Sequence, residues 1–189
     1  MRRLLGFLIL LVLGPLPLKA TTLERFTLAD LVKNAETIFI GSCVSMTTEL
    51  HHDRIYSRIR FSVSDVLKGS LATETELLLP GGSYGGQTER ILGMPSFIPE
   101  EDVVLFLTSP NEQGHAWPVG LGQGKYRIMR DDNTPMAKVR RNLQGVSFHE
   151  PAGAAKASLS APADIALDAF LKMLKAHIKP QQKAKNDLH

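Results

Sequence analysis

The chain has one cysteine, Cys43, in 189 residues. A single cysteine excludes an internal disulfide framework and a Cys-rich zinc site. Its neighbours, Phe39-Ile40-Gly41-Ser42 before it and Val44 after it, suit a small buried residue on a strand. No apolar run is long enough to cross a bilayer, which needs roughly 20 residues. The longest, residues 4–13, follows Met1-Arg2-Arg3 and is broken by Gly14, Pro15 and Pro17 before Lys19-Ala20. That pattern is expected of a signal peptide over residues 1–20, with cleavage before Thr21. No cysteine follows the run, so a lipid anchor is not expected. An excess of basic charge is also lacking once this segment is set aside. Without Arg2, Arg3 and Lys19, the 22 Lys and Arg residues fall to the number of Asp and Glu, 19. No basic footprint for nucleic acid survives. Export, to the periplasm or the medium, with no stable membrane span after cleavage is therefore the expectation.

What remains is a chain of strands. Residues 27–35 (TLADLVKNA) read as a short helix, with Thr27 as cap and Asp30 in the first turn. Residues 37–48 (TIFIGSCVSMTT) read as a strand that starts apolar on both faces, with Gly41 marking a bulge. Residues 49–54 (ELHHDR) form a polar hairpin tip. In the next strand, residues 55–67, Ile55, Ser57, Ile59, Phe61 and Val63 alternate with polar residues. Lys68-Gly69 turns the chain into a third strand at residues 73–79, so the opening is a meander.

A glycine-rich loop follows, Pro80-Gly81-Gly82-Ser83-Tyr84-Gly85-Gly86, then a short strand within residues 87–92. Glu100-Glu101-Asp102 reads as a solvated acidic turn, and residues 103–108 (VVLFLT) as a strand buried on both faces. Residues 115–119 begin a return strand. Gly120-Leu121-Gly122-Gln123-Gly124 is a second glycine segment before a strand at 125–129, and a last strand is expected at 136–140. The β domain is thus expected over 21–143 and a linker over 144–160. A C-terminal helix over 161–179, capped by Ser160 and stopped by Pro180, should pack its apolar stripe on the barrel, with a disordered tail after it. The fold class expected is mainly β: a small closed or partly open, OB-like antiparallel barrel with a short N-terminal helix and an amphipathic C-terminal helix.

The order of Leu28-Ala29-Asp30-Leu31-Val32, Thr37-Ile38-Phe39-Ile40-Gly41, Asp65-Val66-Leu67-Lys68-Gly69, Pro80-Gly81-Gly82 and Gly120-Leu121-Gly122-Gln123-Gly124-Lys125-Tyr126-Arg127 resembles a group of uncharacterised exported bacterial proteins. Residues 36–80 also resemble the OB-like barrel of netrin modules and tissue metalloprotease inhibitors. Those inhibitors chelate the protease zinc through a cysteine at the mature N-terminus. Here the expected mature start is Thr21-Thr22, so that mechanism does not carry over.

Three motifs bear on chemistry. Gly81-Gly82-Ser83-Tyr84-Gly85 satisfies G-x-S-x-G, which makes Ser83 the catalytic candidate, with His115 and His149 as possible bases. The motif works on a strained strand-to-helix turn, and the glycine and proline of residues 87–95 argue against a helix there. The chain also lacks the alternating βα pattern of such hydrolases. The glycines of residues 120–124 precede a strand, unlike the dinucleotide fingerprint. His51-His52-Asp53 sits on a hairpin tip where side chains diverge, so no metal site and no cofactor are expected.

The expectation is therefore a non-enzymatic binding domain. The glycine loops 80–86 and 120–124 would lie near one another and form its recognition surface, with Gly81, Gly82, Tyr84, Gly85, Gly86, Trp117, Gly122, Gly124 and Tyr126 as binding residues. The expected partner is a protein, such as an exported protease or an envelope component. A serine hydrolase using Ser83, or a protease-associated inhibitor or chaperone, are the alternatives.

Overall fold

The computed structural model describes residues 25–131, 134–141 and 164–186. The expected signal peptide, the linker, the helix cap Ser160 and His149 lie outside the described residues. Helix α1 spans Leu28–Asn34. Thr27 and Asp30 form a reciprocal capping box, the Asp30 amide donating to Thr27 Oγ1 at 3.2 Å and the Thr27 amide to Asp30 Oδ2 at 2.9 Å. The other end is held by Lys68 Nζ, which donates to the carbonyls of Val32 and Ala35.

Among the described residues nine strands follow: β1 Thr37–His51, β2 Arg54–Lys68, β3 Glu74–Pro80, β4 Gly82–Tyr84, β5 Gln87–Glu89, β6 Asp102–Leu107, β7 Lys125–Asp131, β8 Thr134–Arg141 and β9 Ile165–Ala166. Helix α2, Leu167–Asn186, ends the described chain. Seven strands form one antiparallel sheet in the order β3-β2-β1-β6-β7-β8-β9, and β4 and β5 form a separate hairpin. Among the described residues no pairing joins the edge strands β3 and β9, and no closed barrel is found.

The opening meander is as expected, but β1 and β2 run nearer their tip. His52 and Asp53 both adopt positive φ, 47° and 59°, which matches the twist of a tight hairpin. The bulge at Gly41 is present, since the β1–β2 register shifts between Ile40 and Gly41. A Cβ at Gly41 would lie 2.5 Å from the Ser62 carbonyl oxygen, so only glycine allows the strands to approach there.

Alternation along β6 divides the core. Val104 and Phe106 face a cluster with Ile38, Tyr126, Ile128 and Val139, covered by Leu31 and Val32 of α1 and by Phe170, Leu174 and Ile178 of α2. Val103, Leu105 and Leu107 face the other cluster, with Phe39, Cys43, Ile59, Phe61, Leu77 and Leu79, covered by Phe97. Each fully buried side chain of this kind contributes about 1.5–3 kcal/mol. The C-terminal helix packs on the sheet, as its stripe implied.

Four local expectations change. The first glycine loop is itself a hairpin. Residues 115–119 form no strand, only an isolated bridge of Pro118 to Leu107. The second glycine segment is a 3₁₀ helix, Leu121–Gly124. Helix α2 starts later than residue 161, because Ile165 and Ala166 pair with Val139 and Lys138 instead. It also passes Pro180: a proline removes one intrahelical bond and disfavours continuation without forbidding it.

Candidate functional site

The β4–β5 hairpin stands at the end of the sheet where β1 meets β2. Its turn is Gly85-Gly86, with φ of 57° and 80°. Two three-residue strands would not hold together in water by themselves. Four anchors fix them to the sheet. The Gly81 amide donates to the Ile55 carbonyl at 2.8 Å. Ser57 Oγ donates to the Gly81 carbonyl at 2.7 Å, and Thr48 Oγ1 to the Ser83 carbonyl at 2.6 Å. Glu89 accepts from Arg54 Nε at 2.8 Å and from the Ile55 amide at 3.0 Å. Those two bonds, the Arg54 one first, hold the Glu89 carboxyl below its ordinary 4.5.

The expected binding residues divide. Tyr84, Gly85 and Gly86 are exposed at the hairpin end, and Tyr84 is 47 % exposed. A Cβ at Gly85 or Gly86 would meet no atom within 4 Å. Gly81 is buried against Glu89 and Ile91, and a Cβ at Gly82 would meet Thr48 and Ser57 at 2.8 Å. Gly122 and Gly124 are buried, the Gly122 amide donating to the Gly93 carbonyl at 2.7 Å. Gly124 is needed for close packing under Phe106 and Val119: a Cβ there would sit 2.6 Å from the Val119 carbonyl oxygen. Tyr126 is buried between Phe106 and Phe170, its ring 4.6 Å from that of Phe170. Burial pushes its hydroxyl above 10.0. Trp117 packs on the opposite cluster, so the two rings lie on different faces of the sheet. Its indole Nε1 is buried with no hydrogen-bond partner among the described residues. The expected composite of two glycine loops and three aromatics thus reduces, at the surface, to the hairpin.

Ser83 lies exposed on β4, and its Oγ shares a 2.8 Å hydrogen bond with Thr88 Oγ1 across the hairpin. The G-x-S-x-G match therefore runs along strand β4 into the hairpin turn, with strand β5 after it. The strand-to-helix elbow that activates such a serine is not what these residues build. His51 and His52 stack edge to face, with centroids 4.1 Å apart. Among the described residues no group of three His, Cys, Asp or Glu side chains could hold a metal ion.

The acidic turn hides a feature that sequence reasoning missed. Glu101 is buried, not solvated. Its Oε2 pairs with Lys125 Nζ at 2.7 Å, the two side chains being 5 % and 12 % exposed. Lys125 also donates to the Ser96 carbonyl and sits 4.3 Å above the Phe97 ring. Arg127 Nε lies 3.7 Å from Glu101 Oε1. Burial, opposed by the Glu101 hydrogen bond, draws the Lys125 ammonium below 10.5. Backbone bonds join Glu100 and Glu101 to Cys43, whose thiol is pushed above 9.0 by burial and then by the Glu101 charge. The available signal was the alternation in β7: Lys125 and Arg127 face the side of β6 that carries Leu105 and Val103, so a buried lysine there required an anion. Buried, paired and packed in this way, the cluster acts as a structural clamp between β7 and the turn before β6.

Among the described residues no helix is long and apolar enough to cross a membrane. Comparison with family models, with curated proteins and with solved structures gives no match.

Proposed function

We propose that the protein is an exported, non-enzymatic domain that recognises a protein partner through the β4–β5 hairpin. One observation carries this reading. A hairpin too short to stand alone is bolted to β1 and β2 by four separate anchors, while its turn, Gly85-Gly86, faces open space beside the half-exposed Tyr84. Anchoring removes the entropy that an ordered loop would lose on binding. An exposed tyrosine beside glycines offers a rigid aromatic surface and backbone groups that a partner can approach. Export is supported by the Arg-Arg start and the short apolar run of residues 4–13. The finer fold description is a partly open, OB-like barrel, supported by three register shifts that bend β1.

The test is site-specific photo-crosslinking in intact cells. A cross-linker at position 84 is expected to capture one discrete adduct that the same group at exposed position 112 does not. The Gly82→Ala variant, which displaces the hairpin, should lose it. Equal patterns from both positions, or no adduct, would remove the hairpin from recognition.

A further inference from the structure

The second candidate surface is an edge. Strand β6 pairs with β1 only over Thr37–Ser42. The Cys43 amide and carbonyl then bond to the Glu101 carbonyl and Glu100 amide at 2.9 and 2.8 Å. Beyond Cys43, β2 continues along one side of β1 as far as the His51–Arg54 pair. On the other side no strand of the described residues pairs with residues 44–50. An edge of this kind presents a row of unpaired amides and carbonyls, and proteins guard such edges with lysine, proline or inward charges. Residues 44–50, Val-Ser-Met-Thr-Thr-Glu-Leu, hold no lysine, arginine or proline. The single charge, Glu49, is already drawn to Arg58 on β2 at 2.8 Å. Val44, Met46 and Leu50 are 56 %, 39 % and 50 % exposed. The other long edge, β3, is guarded: it carries Glu74 and Glu76 and ends in Pro80.

We infer that this edge pairs with a second copy of the same chain, antiparallel about a two-fold axis at Thr47. The occupant follows from self-complementarity. In that register Val44 lies opposite Leu50 of the other copy, Met46 opposite Thr48, Ser45 opposite Glu49, and Thr47 opposite itself. Exposed Val44 meets exposed Leu50, Met46 meets the methyl-bearing side chain of Thr48, and each Glu49 carboxylate meets a hydroxyl rather than another carboxylate. A two-fold pairing of this kind is closed, so it ends at a dimer and does not propagate into a fibre. Two three-stranded ends then join into one continuous sheet. The inference does not depend on recognition by the hairpin.

Light scattering of the full chain across a concentration series tests it, with two variants. The wild type is expected to run as a dimer. Thr47→Lys, which sets two ammonium groups opposite each other at the axis, should run as a monomer with an unchanged far-ultraviolet spectrum and melting temperature. Thr47→Cys should form a disulfide-linked dimer under mild oxidation, whereas Glu112→Cys should not. A wild type that stays monomeric at the highest concentration it tolerates overturns the inference. So does a dimer that survives Thr47→Lys, as association through the apolar residues 4–13 would. So does a dimer that cross-links equally well at positions 112 and 47.

Discussion

Removing the Glu101 carboxylate tests the buried clamp most directly. In Glu101→Ala the Lys125 ammonium keeps its bond to the Ser96 carbonyl and its place over the Phe97 ring, but loses its counter-ion. Breaking a buried pair by deleting one partner costs about 3–5 kcal/mol. The lower end applies here. Burial already holds the Lys125 ammonium below its ordinary range, so the amine can shed its proton rather than remain charged and unpaired. A loss of about 3 kcal/mol in a chain of this size lowers the melting temperature by roughly 6–12 °C. Replacing both partners, Glu101→Leu with Lys125→Met, restores apolar packing and should be less damaging than Glu101→Ala alone. Urea denaturation of wild type, both single variants and the pair gives the coupling. There is also a pH signature. A lysine whose folded pKa is depressed binds fewer protons folded than unfolded between its lowered value and its ordinary 10.5. Stability from this group therefore rises with pH through that window, and the slope should vanish in Lys125→Met. A loss below about 1 kcal/mol for Glu101→Ala, or an additive cycle, would refute the claim that a desolvated pair closes this end of the core.

The other expectations concern the hairpin and the thiol. Gly82→Ala should destabilise the hairpin, since φ is +140° and the new methyl meets Thr48 and Ser57 at 2.8 Å; Gly85→Asn, with φ +57° and open space, should be nearly neutral, and hydrogen exchange at residues 82–89 separates the two. The Glu89 anchor contributes fully above pH 4.5 and is lost as pH falls through the lower folded value. Acid should therefore raise hairpin exchange in the wild type, and Glu89→Gln should show the raised exchange already at neutral pH. Cys43 should resist iodoacetamide in the native protein and label in urea, because the thiol is buried and its pKa is raised; labelling at equal rates in both would place the thiol at the surface.

Much of the sheet was legible because period-two alternation needs no distant information. Ile59 and Phe61 declare one face of β2, and Thr27 with Asp30 declares the start of α1. What failed depended on partners far along the chain. Gly124 looked like part of a binding loop because glycine clusters do not say whether space is needed for a ligand or for Phe106 and Val119. Tyr126 followed a glycine segment and looked available, yet its ring is claimed by Phe170, across the stretch of residues outside the described chain. Glu101 looked solvated between two other acids, and only Lys125, in register on β7, makes its burial affordable. The late start of α2 depended on β8 offering Val139 to Ile165.

The distribution of cover along β1 explains why both proposed surfaces lie at one end. Between Thr37 and Ser42, β1 has neighbours on both edges and apolar cover on both faces. That half leaves nothing for a partner to reach. Beyond Cys43 the strand leaves β6 and continues with β2 alone. There the sheet is only three strands wide, β3-β2-β1, so this half relies on other attachments as well. Ile55, Ile59 and Leu79 supply apolar cover on one face. Arg58 binds Glu49 on β1 and Glu76 on β3 at once, crossing all three strands. Exposed ion pairs of this kind contribute about 0–1 kcal/mol each, so the network positions the end more than it stabilises it. The hairpin then covers Ile55 and leaves the outer edge of β1 open. A partner at that edge would supply the backbone bonds that β6 gives the other half.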